Sequence, residues 1–303
     1  AEIKRLDPLK EIRLTGPLGR MIDVLSSLGF PTRAVAIDTS TEALEGRVSV
    51  GAPVYSVDGD GVTPFNPFEA IGDMTTIVKE LNGGTEADTN VYGEVWASSL
   101  HKAIDQTNEL NTILSSLATD ATFPDSGIGS QLEVIARLIK ARAAMGVERD
   151  FFYLEMGGFD NHERIANFLG PQLSLLNSAI TAFRSEMISQ NLWNNVVMVQ
   201  TTDFGRTLVP NSGAGTDHGW SGNNFVIGGA LNGNRILGTY PPDLREGSDV
   251  NVGRGRLIPS LPYECIFNAV AEWMGINGTG LDEVLPNRKN FPSDKLYTAA
   301  DFF

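Results

Sequence analysis

The chain is 303 residues long, with 42% hydrophobic and 20% charged residues, a composition that supplies a sizeable core and excludes a mainly disordered chain. Its 23 basic residues stand against 37 acidic ones, a net charge of −14, and no basic face gathers along the sequence, so nucleic acid is not an expected partner. No apolar run reaches the ~18 residues needed to cross a bilayer, and the opening AEIKRLDPLK lacks a signal-peptide apolar region, which reads as a soluble chain, intracellular or already processed.

In the first half the spacing predicts a helix over 19–28 (GRMIDVLSSL), then extended runs at 34–37 and 47–55. The acidic turn Asp58-Gly59-Asp60-Gly61 lacks the third acidic position and the distal Glu of an EF-hand, so a plain turn is predicted. Helical periodicity runs over 65–118 around a Gly-rich polar break, and His101 within it has only Asp105 at helical spacing, which reads as a surface or half-buried helix histidine. TFPDSG then breaks the chain ahead of an amphipathic helix over 131–145. A lone cysteine excludes an intrachain disulfide framework and a multi-cysteine metal site, and the setting of Cys265, PYECIFNAVAEW, predicts a core position on a helix.

The second half alternates more cleanly. An apolar run at 151–156 (FFYLEM), ended by Gly157-Gly158, predicts a buried strand. A helix over about 172–190 follows, with Leu173, Leu176, Ile180, Phe183 and Met187 on one face, and then a second strand at 196–200 (VVMVQ). A strand, helix and strand in one sheet make a right-handed parallel crossover with both carboxyl ends on one edge. A third run at 224–227 (NFVI) is expected to continue that sheet.

Ligands of open α/β sheets bind at the carboxyl edge, so the residues after each strand carry most weight. After the first strand comes GGFDNH (157–162), after the second TTDFGR (201–206), and the next loop carries GAGTDHGW (213–220). Two of the three histidines thus share one expected edge with three aspartates. Carboxylate oxygen and imidazole nitrogen suit a hard or borderline cation, and glycines let the backbone approach it. Each residue also has a plainer role open to it. Asp160 could cap the following helix, Asp203 could close an Asx-turn, His218 could be held by loop backbone, and Arg206 could be a surface ion-pair partner. The residues alone therefore point to a metal or anion site.

The motifs GGFDNH, TTDFGR and GTDHGW, followed by NFVIGGALNGNRILG (224–238), RGRLIPSLPYECIFNAVAEWMGI (254–276) and LDEVLPN (281–287), resemble the DUF1501 family, mostly secreted proteins of the alkaline phosphatase-like superfamily. The resemblance implies an α/β fold with a mainly parallel sheet flanked by helices. It implies a single domain over residues 1–303, with a helical insert over 65–125, a best-matching core over 126–291 and an incomplete N-terminal part. It also implies a divalent metal (zinc, calcium, magnesium or manganese) held by Asp160, His162, Asp203 and His218, with Asp203 and Arg206 serving catalysis on a small anionic ester of phosphate or sulfate. The chain departs from the superfamily in two respects. Asp203 is followed by Phe204 where metal phosphatases carry histidine, and the family's opening strand, with its Gly-rich acidic loop and nucleophile, has no counterpart here. No GxSxG elbow, HExxH, P-loop or dinucleotide fingerprint offers a substitute.

Two functions are therefore expected, a metal-dependent hydrolase in which Arg206 clamps the anion, or a secreted structural, assembly or binding protein that kept the scaffold without the chemistry. The missing strand predicts that an exposed sheet edge is covered by self-association, by a separate N-terminal fragment or by the chain's own N-terminal residues. Export to the periplasm or the exterior is expected from the resemblance. Asn277-Gly278-Thr279 fits a glycosylation sequon, although Gly278 and its neighbours also suit the end of the helix at Trp273–Met274.

Overall fold

The computed structural model describes residues 15–49, 52–58, 61–62, 75–83 and 91–303. The first helix, α1 (Pro17–Ser27), opens with a proline at a position where the missing N–H costs nothing, and buries Met21, Ile22 and Leu25 at helical spacing. Strand β1 (Thr32–Ile37) follows, then the short β2 (Val54–Tyr55), β3 (Val57–Asp58) and β4 (Gly61–Val62). Strands β3 and β4 pair antiparallel, Val57 with Val62 and Asp58 with Gly61, so the two ends of the acidic stretch are paired with each other; its Gly59 and Asp60 lie outside the described residues.

Two helices occupy the stretch predicted as an insert, α2 (Thr75–Asn82) and α3 (Val91–Ser115); residues 65–74 and 84–90 of that stretch lie outside the described residues. Leu110 and Leu114 of α3 belong to the main hydrophobic core, so the carboxyl half of this helix is built into the domain. His101 is half-buried on it and its Nε2 lies 2.9 Å from the Lys79 carbonyl, in keeping with a structural histidine. Next comes α4 (Gly127–Ala141), whose N-cap Ser126 accepts the Gly129 N–H at 3.2 Å.

Strand β5 (Arg149–Leu154) completes a three-stranded parallel sheet in the order β2-β1-β5, with Thr32 to Ile37 in register with Arg149 to Leu154. Alternation along these strands divides the core in two. Val35, Ile37 and Tyr55 face α4 and the long helix α5 (Ile165–Ser189), where Leu132, Ile135, Phe183 and Met187 are buried. Ala36 and Phe151 face the other way, onto Met21 and Leu25 of α1 and onto the carboxyl-terminal helices.

Helix α5 begins seven residues before its predicted start at 172. Pro171 lies inside it, where its missing N–H and its ring's crowding of the preceding turn fall on a stretch of the helix that faces solvent. The helix is entered through Arg164 in the left-handed region (φ 47°), so Asp160 is not its N-cap.

The next strands, β6 (Val197–Val199), β7 (Gly205–Arg206), β8 (His218–Gly219) and β9 (Val226–Gly228), correct the predicted continuous sheet. Strand β6 pairs antiparallel with β9, Met198 opposite Ile227, and among the described residues neither joins the parallel sheet. The chain returns from β6 to β9 through a folded loop, which brings the third run back alongside the second in the opposite sense. The observed architecture is thus mixed α/β with one small parallel sheet and separate antiparallel pairs, β7 with β8 among them.

The chain closes with α6 (Glu264–Trp273), α7 (Thr279–Val284) and α8 (Ala299–Phe302). Cys265 is buried on α6 as predicted, and burial pushes its thiol up to about 12. The stop of α6 is Gly275 (φ 104°), whose N–H reaches the Glu272 carbonyl while the Ile276 N–H reaches that of Ala271. Asn277 stands exposed two residues beyond. Among the described residues no helix is long and apolar enough to cross a membrane.

Candidate metal centre

Three loops meet beyond the ends of β5 and β6, and main-chain contacts hold them together. Glu163 bridges Ala214, the Arg164 N–H reaches the Gly213 carbonyl at 3.0 Å, and the Thr216 N–H reaches the Asn161 carbonyl at 3.1 Å. The β7–β8 ladder sets Arg206 directly opposite His218. The first three contacts, between residues some 50 apart in sequence, carry the GGFDNH loop onto the loop that holds GTDHGW, and the ladder adds the TTDFGR loop.

The result is a triangle of potential ligand atoms. His162 Nε2 lies 2.9 Å from Asp160 Oδ1, His218 Nε2 lies 3.0 Å from the same oxygen, and the two Nε2 atoms are 3.1 Å apart. Among the described residues this is the one group of three or more His, Cys, Asp or Glu side chains whose ligand atoms converge within 4.8 Å, and all three residues are exposed. Ligand atoms about 2.0–2.1 Å from a tetrahedral zinc stand ~3.3 Å from one another, close to the spacing observed. Lone pairs brought this near repel, and a shared proton or a cation among them relieves the repulsion.

Electrostatics around the triangle is asymmetric. Desolvation pushes the Asp160 carboxyl up, but the Arg206 hydrogen bond and the charges of His162 and His218 outweigh it and hold the group below its ordinary 3.8. Asp217 is held down to about 2, first by the hydrogen bond from Asn211 and then by that from Arg254. Arg206 donates through Nη1 to Asp160, through Nε to Thr216 Oγ1 at 2.9 Å, and through Nη2 to the Thr216 carbonyl. It is thus an ion-pair partner of a candidate ligand, with three of its five donors committed.

Of the predicted site residues, the structure brings Asp160, His162, His218 and Arg206 together. Asp203 does not join the converging group; it is exposed at the bend after β6, and its charge acts on the hydroxyls of Tyr153 and Tyr263. Phe204 beside it packs its ring on His218. Sequence reasoning assigned no role to Asp217 or Asn211, which brace the site. The adjacency of Asp217 to His218 in the motif was an available signal, whereas nothing local marks Asn211.

Residues 80–252 match the family model described as "Protein of unknown function (DUF1501)". The chain belongs to the DUF1501 family. The match spans all three loops of the triangle, begins inside the helical stretch predicted as an insert, and ends ahead of α6. No curated protein and no solved structure matches this DUF1501 chain.

Proposed function

We propose that this chain is a metal-dependent hydrolase of phosphate or sulfate esters, with Asp160, His162 and His218 as the cation's ligands. The convergence of two imidazole nitrogens and one carboxylate oxygen within 3.1 Å of one another carries the reading. That donor set favours zinc over calcium and magnesium, which take oxygen ligands. A divalent cation bound there would polarise an ester oxygen and supply hydroxide near neutral pH.

The protein's own residues do the rest. One carboxylate and two neutral imidazoles leave a dication site with net positive charge, which favours an anionic ester over a neutral one. Arg206 holds Asp160 in place, and an anion seated at the triangle would meet its guanidinium. The ligands are exposed, with His218 53% accessible, so substrate reaches them without a lid. Placement with the alkaline phosphatase-like superfamily is part of the same proposal, supported by Asp- and His-bearing loops that follow strands.

A specific observation favours the alternative, a catalytically inactive structural or binding protein on this scaffold. Phe204 occupies a face of His218 with a ring that cannot ligate, and Asp203 stands apart, so among the described residues no donor set for a second cation is assembled. Turnover of p-nitrophenyl phosphate, bis-p-nitrophenyl phosphate and p-nitrophenyl sulfate by the purified chain separates the two readings. With zinc or manganese added, the hydrolase turns over at least one ester, and a chelator or His218→Ala abolishes the activity. No turnover with any added divalent metal would leave the structural reading standing.

A further inference from the structure

We infer that Asp217 is the positioning residue for His162, fixing the tautomer and the aim of that ring toward the triangle. The inference rests on the cation reading above. Asp217 is anchored by its main chain, since its N–H donates to Thr207 Oγ1 at 3.0 Å and its carbonyl accepts the Thr207 N–H at 2.9 Å, and Thr207 is buried. It is also anchored by its carboxylate, which accepts from Asn211 Nδ2 at 3.0 Å on Oδ1 and from Arg254 Nη2 at 2.6 Å on Oδ2.

This fixed carboxylate presents Oδ1 to His162 Nδ1 at 3.4 Å. Asn211 Nδ2 also reaches the His162 carbonyl at 2.8 Å, so one amide braces both the acceptor and the main chain of the ring it serves. With a cation seated among Nε2, Asp160 and His218, the Nε2 lone pair is committed to it, so the proton belongs on Nδ1, where the Asp217 oxygen accepts it. A histidine that donates its far N–H to a carboxylate is a better-aimed and more basic ligand, and loss of such a partner lowers metal affinity about 10–100-fold. The His162 side chain is 46% exposed, so little packing would replace this restraint.

Cobalt(II) titration of the purified full chain, read by calorimetry and by the visible absorption of the bound ion, tests the assignment. Asp217→Ala is expected to weaken cobalt binding about 10–100-fold and to change the visible bands, whereas Asp217→Asn, which keeps an oxygen acceptor, recovers part of the loss. Should Asp217→Ala misfold by far-UV circular dichroism, nitrogen-15 imidazole spectra of the wild-type chain decide the matter, since three histidines are readily told apart. Those spectra should place the His162 proton on Nδ1 in the metal-loaded chain. Wild-type affinity and bands in Asp217→Ala, or a proton on Nε2, overturns the positioning role while His162→Ala still loses the metal. A wild-type chain that binds no cobalt, zinc or manganese removes the cation reading itself.

Discussion

The ring of Phe204 lies against that of His218, with centroids 4.0 Å apart and planes 14° from parallel. The stack covers one face of the imidazole and leaves its Nε2 edge turned to Asp160, while the Arg206 guanidinium sits 5.8 Å from the Phe204 centroid. Phe204 therefore does for His218 what Asp217 does for His162, by packing in place of hydrogen bonding. A hydrocarbon at this position can hold the ring in place but cannot itself ligate, so on the proposed cation reading Phe204 offers no donor for a second ion.

Removing the stack should loosen the ligand without deleting it. Aromatic pairs contribute about 0.5–1.5 kcal/mol beyond their buried area, so Phe204→Ala is expected to weaken zinc or cobalt binding about 2- to 10-fold. Phe204→Leu, which keeps apolar contact and loses the stack, should fall between. Calorimetry of both variants checks this, and unchanged affinity in Phe204→Ala would make the stack incidental.

The core-facing helices were legible because periodicity reports burial, as with Phe183 and Met187 on α5, although Leu173, read onto the same face, is exposed, and the division of the core by the sheet was not read. The triangle was legible in three of its members, since Asp160, His162 and His218 stand in glycine-bearing loops after apolar runs. The pairing of β6 was not, because three residues of apolar character do not reveal which neighbour completes their ladder. The first turns of α5 were not legible because residues 165–172 face solvent and contribute no buried stripe that reports a helix. Asn211 was invisible because its role depends on a partner 49 residues earlier, His162, and on a loop closure that no local pattern encodes.

Glu264 should set a pH dependence of stability away from the Asp160–His162–His218 triangle. It is buried at the start of α6, where desolvation raises its pKa above the ordinary 4.5 against the opposing pull of its own backbone N–H and of Arg20. A carboxyl whose folded pKa exceeds its unfolded value contributes stability that is complete below pH 4.5 and is lost as pH rises through the folded value. Glu264→Gln is thus expected to melt higher than wild type at pH 7, with the gap closing at pH 4. Thermal unfolding at both values tests it, and an equal gap at the two would reject the linkage.

Glu186 on α5 is a fully buried side chain whose hydrogen-bond partners are in place. Its Oε2 accepts the N–H groups of Asp120 at 2.6 Å and Ala121 at 2.9 Å, and its Oε1 accepts Gln190 Nε2 at 2.8 Å with Lys140 Nζ 3.8 Å away. This one side chain ties the segment after α3 to α5. Glu186→Ala takes the acceptor from the part-buried N–H groups of Asp120 and Ala121 and is expected to cost about 1–3 kcal/mol. Urea unfolding should show a lower midpoint, while cobalt affinity in the folded variant stays at the wild-type value because the change lies outside the triangle.

The most exacting test of the site's construction changes no ligand at all. A Cβ added to Gly215 would lie 2.2 Å from both the carbonyl carbon and oxygen of His162 and 2.5 Å from the Glu163 nitrogen. All three are backbone atoms, which cannot rotate aside as the end of a side chain would. Gly215 sits between the Glu163–Ala214 bridge and the Thr216-to-Asn161 hydrogen bond, the contacts that join the two loops. Gly215→Ala must therefore push the His218 loop from the His162 loop, and displacements near 1 Å in such sites cost about 100-fold in turnover. Gly157 is the matched control, since it lies in the same motif region yet an added Cβ there meets nothing within 4 Å. Cobalt titration should show Gly157→Ala binding as wild type and Gly215→Ala binding far more weakly, with both variants folded by circular dichroism. Equal affinity in the two would mean that the ligands come together by some route other than this loop contact.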